Sequence, residues 1–153
     1  MILHQPGRAP RIFVAEDDAQ IVELVVTRLD LAGFETRFAR NGWQALEGIK
    51  AMRPNAVILD INMPGMDGFG VLRAMRANKA LAAIPVMMLT ARGALEDVKR
   101  ALAEGANDYL TKPFDDQELI QRMRRLTRPA RVIAPEAPAA PAPDATDDGA
   151  LLL

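Results

Sequence analysis

The chain has no cysteine, one histidine, one tryptophan and one tyrosine. It also has no apolar run near the roughly 20 residues that a bilayer-spanning helix needs. Each absence removes a class of function. Without cysteine there are no disulfide staples and no thiolate metal sites. The opening "MILHQPGRAP" lacks the apolar stretch of a signal peptide, so a cytoplasmic location is expected. The lone histidine, His4, lies in that proline-containing segment and reads as a solvated tail residue, not a catalytic group. A formal net charge of -1 offers no general attraction to nucleic acid or to an anionic membrane, so neither is expected as a direct partner. There is no internal repeat at a period that would suggest a solenoid.

What the chain does have is apolar residues in ordered patterns. Its 153 residues, half of them hydrophobic, suffice for one core. Residues 1–10 read as an N-terminal extension and residues 11–127 as the folded domain. Residues 128–153, "RPARVIAPEAPAAPAPDATDDGALLL", read as a proline- and alanine-rich disordered tail. Five runs in the domain look like strands: "RIFVAE", "FETRFA", "AVILD", "PVMMLT" and "DYLTK". The first, third and fourth are nearly continuous apolar, as strands covered on both faces must be. Helical patterns lie between and after them, over residues 19–32, 43–52, 69–76, 95–104 and 116–126. Five alternations of strand and helix predict an α/β fold, a doubly wound parallel sheet between two helical layers joined by right-handed crossovers.

In such sheets ligands bind beyond the carboxyl ends of the strands, and here those ends are polar. Strand one closes on Glu16, Asp17 and Asp18, strand three on Asp60, strand four on Thr90 and strand five on Lys112. Each alone has an ordinary explanation as a helix cap, a strand residue or a solvated lysine. Together they point to a site, because burying a carboxylate is costly unless cations or donors meet it. The chemistry that suits this set is phosphoryl transfer to a carboxylate. Paired acids suit a hard octahedral cation such as Mg²⁺, Asp60 would be the nucleophile, and Lys112 and Thr90 would hold phosphoryl oxygens. An Asp60 already ionised at neutral pH would need no general base.

The motifs "VAEDD", "LDINMPGMDG", "LTA" and "DYLTKPF" resemble those of the receiver domain of bacterial two-component response regulators, over roughly residues 11–126. The resemblance implies a flavodoxin-like five-stranded sheet of order 2-1-3-4-5, an order known for the chemotaxis member of that family. It implies Asp60 as phosphoacceptor from a sensor histidine kinase or histidine phosphotransfer protein. It also implies Mg²⁺ held by Glu16, Asp17, Asp60 and the backbone carbonyl of Asn62, and a cis bond between Lys112 and Pro113. Thr90 and Tyr109 would be the switch pair. The expected output is a changed affinity for a downstream protein or a second copy. The surface would comprise the helix from Leu95 to Glu104, strand five and the helix from Asp116 to Leu126.

Asp18 is free to cap the first helix, small Ala91 would leave the acceptor open to a bulky donor, and Asn62 and Arg92 flank the path of a hydrolytic water in similar proteins. Arg122, Arg124, Arg125, Arg128 and Arg131 form a basic cluster better read as a solvated or protein-contacting helix face than as a DNA site. Two other readings are weighed. A haloacid-dehalogenase-like phosphatase usually carries a nucleophilic D-x-D on its first strand, whereas here the acid pair comes first and Asp60 is followed by Ile61 and Asn62. A phosphate-independent pseudo-receiver would not need Glu16, Asp17, Asp60, Thr90 and Lys112 all present. No output domain is evident, so a stand-alone regulator or a piece ending in a linker is expected.

Overall fold

The computed structural model describes residues 8–128, so His4, Arg131 and the expected tail from residue 129 onward lie outside the described residues. Its elements alternate as the patterns predict. They run β1 Arg11–Ala15, α1 Ala19–Leu31, β2 Glu35–Ala39, α2 Gly42–Met52, β3 Ala56–Asp60, α3 Gly68–Ala77, β4 Val86–Ala91, α4 Leu95–Ala103, β5 Asp108–Lys112 and α5 Asp116–Leu126. The strands form one parallel sheet in the order β2-β1-β3-β4-β5.

The two-residue period of a strand explains the layering. Phe13, Ala15, Val57, Leu59, Val86 and Met88 face one way, into a core completed by Ile49 of α2 and Leu72 and Met75 of α3. Ile12, Val14, Ile58, Met87 and Leu89 face the other way, against Val25 and Leu29 of α1 and Leu119 and Met123 of α5. β3 is buried along its whole length, which accounts for its unbroken apolar run. Met87 and Met88, adjacent in sequence, are both fully buried on opposite faces.

Among the described residues, four of the five helices start on short polar caps, α4 alone having none. Asp18 accepts from the backbone N–H groups of Gln20 and Ile21 at the head of α1, as expected. Asn41 caps α2 through Gln44 N–H, Asp67 caps α3 through Gly70 N–H, and Asp115 caps α5 through Gln117 N–H. α2 and α3 therefore begin one residue earlier than their apolar periodicity suggests, on Gly42 and Gly68. The basic cluster is largely spoken for within the domain. Arg122 and Arg125 both pair with Asp108 of β5, Arg122 also pairs with Glu118, and the Arg124 guanidinium lies 5.8 Å from the centre of the Phe34 ring. Among the described residues no helix is long and apolar enough to cross a membrane.

Candidate functional site

All five strands point the same way, so their carboxyl ends share one edge, and the register sets the ends side by side. Ala15 lies opposite Leu59, Asp60 opposite Leu89, and Ala91 opposite Lys112. Glu16, the residue after β1, Asp60 at the end of β3 and Thr90 near the end of β4 are the buried polar residues of the domain. Lys112 Nζ reaches across from β5 to 2.8 Å from Glu16 Oε1 and 3.2 Å from Asp60 Oδ1. The contact with Asp60 is aligned as a hydrogen bond. Carboxylate oxygens of Glu16, Asp17 and Asp60 all lie within 4.8 Å of one another. The backbone N–H of Asn62 donates to Asp60 Oδ1 at 3.3 Å, and the bond between Lys112 and Pro113 is cis. Glu16, Asp17, Asp60 and Lys112 are thus brought to one cluster, Thr90 is buried near the same sheet edge, and Asp18 turns away as a cap.

Residues 12–124 match the family described as the response regulator receiver domain. The chain belongs to this family. The receiver is 40% identical over 125 residues to the DNA-binding dual master transcriptional regulator RpaA of Synechocystis, an alignment covering 78% of this chain and 49% of RpaA. The chain spans about half the length of the curated relatives it matches. Among solved structures it is similar to the chemotaxis response regulator CheY4 of Vibrio cholerae, with 30% identity, a TM-score of 0.74 and coverage of 78% of this chain and 99% of that one. It is also similar to the receiver domain of the sensor histidine kinase PA1611 of Pseudomonas aeruginosa, solved with a magnesium ion coordinated in its active-site cleft. There the identity is 28%, the TM-score 0.73 and the coverage 78% and 98%.

The charges in this receiver are unbalanced. Three clustered carboxylates face one ammonium, and two of the three are buried. Burial pushes the Asp60 pKa up from 3.8 to about 7; the Glu16 charge adds to the rise, and Lys112 offsets only part of it. Burial works against the Lys112 ammonium too, but its two carboxylate partners outweigh this and its pKa is raised. The expectation that Asp60 is fully ionised at neutral pH therefore fails for the cluster on its own. The reason is desolvation, which a strand-end position in a sequence does not reveal.

The donor set fits a divalent cation. It consists of hard carboxylate oxygens with no nitrogen or sulfur, as Mg²⁺ or Ca²⁺ require and Zn²⁺ disfavours. Glu16 Oε1 is buried with no aligned hydrogen bond and only the Lys112 ammonium 2.8 Å away, an ammonium that Asp60 also shares, so the three carboxylates keep acceptor capacity that a second cation would use. Among the described residues this is the one group of acidic or imidazole side chains close enough to share an ion.

Thr90 Oγ1 is likewise buried and without a hydrogen-bond partner. Tyr109 lies opposite Met88 in the β4–β5 register, two residues before Thr90's partner Thr111, and is 38% exposed. Thr90 and Tyr109 therefore share the sheet face covered by α2 and α3. α4 also sits on that side and contributes a single buried side chain, Ala101, so it is held by little apolar contact.

One neighbour of the site escaped the sequence reading. Arg40, just after β2, donates from Nε and Nη2 to the backbone carbonyl of Asp17 at 3.3 and 3.2 Å. An arginine between two elements looks like any loop residue in a sequence, so no local signal could have marked it. Gly68, in the tight loop after the acceptor, places α3 against the end of the acceptor strand so closely that a Cβ there would stand 2.3 Å from the Asp60 carbonyl oxygen.

Proposed function

We propose that this receiver is a two-component switch that takes a phosphoryl group on Asp60 from a phosphohistidine of a sensor kinase or phosphotransfer protein. The observation that carries the reading is the cluster itself: a buried carboxylate at a strand end, bonded to a lysine and flanked by two more acids. An Asp60 oxygen attacks phosphorus in line with the leaving imidazole. The new P–O bond forms as the P–N bond breaks, and the electron pair returns to the imidazole nitrogen. Mg²⁺, held by Glu16, Asp17, Asp60 and the Asn62 carbonyl, would neutralise repulsion between the anionic attacker and donor. Lys112 would turn from its carboxylate partners toward a phosphoryl oxygen, and the unpartnered Thr90 hydroxyl would donate to another. Ala91, exposed beside Thr90, leaves room for the donor.

Output would follow from the Thr90 move. Its displacement frees space on the face it shares with half-exposed Tyr109, whose ring can turn inward and alter the surface made by α4, β5 and α5. A downstream protein or a second copy would dock there. The paired arginines of α5 support a protein contact over nucleic acid for this surface. Residues 11–127 would be the autonomous unit, working in the cytoplasm, with residues 1–10 and 128–153 as flanking segments.

The test is Mg²⁺-dependent labelling by acetyl phosphate, read by intact mass. One phosphoryl group is expected on the wild type and none on Asp60→Asn; equal labelling of both would refute the assignment. Thr90→Ala should still be labelled at Asp60. With beryllofluoride, however, it should lose the NMR shift changes at Tyr109 and α4 that the wild type shows.

A further inference from the structure

The Asp17–Asp18 peptide unit is gripped at both ends. Its N–H, that of Asp18, donates to Glu16 Oε2 at 3.0 Å. Its carbonyl, that of Asp17, accepts from both Nε and Nη2 of Arg40. Immediately before it, Glu16 N–H donates to the Ala39 carbonyl at 3.1 Å, the last rung between β1 and the end of β2. Immediately after it, Asp18 turns into its cap on α1. The plane of this one peptide therefore controls two carboxylates. Its N–H holds the Glu16 head group, and its tilt sets the direction in which Asp17, the least buried of the three acids, leaves the chain.

We propose that Arg40 is a positioning residue for the divalent cation, fixing the Asp17–Asp18 peptide and through it both the Glu16 and the Asp17 carboxylates. The inference rests on the cation reading of the preceding subsection and adds a residue that touches none of the reacting atoms. A planar guanidinium suits the task. Two N–H groups on one rigid fork converge on a single oxygen and define an orientation, which one rotatable ammonium cannot do. The Arg40 side chain also lines an apolar groove of about 310 Å³ between α1 and β2 with Val22, Val26 and Phe38, which limits its alternatives.

Charge and positioning act in opposite directions here, which makes the proposal decidable. A guanidinium near a cation site repels the cation, so if Arg40 were only a charge, its neutralisation would tighten Mg²⁺ binding. If it positions the acids, its loss weakens binding. The experiment titrates Mg²⁺ into the full wild-type chain and into Arg40→Met and Arg40→Lys by calorimetry. The fluorescence of Trp43, the only tryptophan, serves as a second readout. Exchange of the Asp18 amide is measured without metal. The expected result is about a tenfold weaker Mg²⁺ affinity for Arg40→Met, in the range seen when outer supports of metal ligands are removed. A smaller loss is expected for Arg40→Lys, with faster Asp18 exchange in both. Mg²⁺ binding by Arg40→Met as tight as or tighter than wild type would overturn the proposal, as would unchanged Asp18 exchange. A wild type that binds no Mg²⁺ would instead overturn the cation reading beneath it.

Discussion

Replacing Asp60 by asparagine should make the protein more stable at alkaline pH while abolishing its proposed chemistry. In the folded chain burial, then Glu16, raise the Asp60 pKa to about 7 from the 3.8 of an unhindered carboxyl. Between those values the native state keeps a proton that the unfolded state has released, so wild-type stability falls as the pH climbs from about 4 to 7. At roughly 1.4 kcal/mol per pH unit, the full penalty above pH 7 is about 4 kcal/mol. Asparagine has nearly the same shape and no charge, and the Lys112 attraction it gives up is already included in that net shift. The expected gain is about 4 kcal/mol at pH 8, equivalent to a rise in Tm of roughly 10–20 °C for a domain of this size. Urea unfolding followed by circular dichroism, in EDTA at several pH values from 4.5 to 8, measures it. The gap between variant and wild type should be small at the acid end, widen toward pH 7 and then level off. Mg²⁺ should narrow it at pH 8 by stabilising the wild type alone. A variant equal to or less stable than wild type at pH 8, or a gap that ignores pH, would refute the reasoning.

Gly68→Ala should displace the acceptor strand, because the added Cβ would meet the Asp60 carbonyl at 2.3 Å; a loss of about 2–3 kcal/mol in denaturant unfolding and reduced Mg²⁺ affinity are expected. Lys112→Met should leave Glu16 and Asp60 facing one another without a cation, lowering the Tm in EDTA at pH 8 more than at pH 5 and suppressing acetyl phosphate labelling. Arg100→Ala removes a guanidinium lying 3.9 Å from the centre of the buried Phe69 ring; a loss of about 1 kcal/mol is expected, with faster amide exchange concentrated in α4. Deletion of residues 132–153, with few large apolar side chains among its prolines, alanines and aspartates, should leave the Tm and labelling by acetyl phosphate nearly unchanged.

The element order was legible in the chain because burial on two faces forces a particular composition. β3 reads as one apolar run since Val57 and Leu59 enter one core while Ile58 enters the other. The α1 cap was legible as well, because an aspartate before an amphipathic run has a local use. Strand order was not contained in periodicity, which is blind to neighbours; it came from resemblance to a known family, and the sheet has that order. The site was legible as a set of residue types at strand ends, since a parallel sheet carries all such ends to one edge. Its electrostatics were not. That Asp60 holds its proton to about pH 7 depends on desolvation and on Glu16, a residue 44 positions away in sequence, and both arise only when β1 and β3 pair. Arg40 belongs to the same class. A lone arginine after an edge strand carries no local pattern, and its grip on the Asp17 carbonyl exists only because β2 lies beside β1 and carries it there. Local periodicity reports what each segment must bury, whereas the protonation and aim of a side chain depend on partners brought close by chain crossing, and only the tertiary structure contains those.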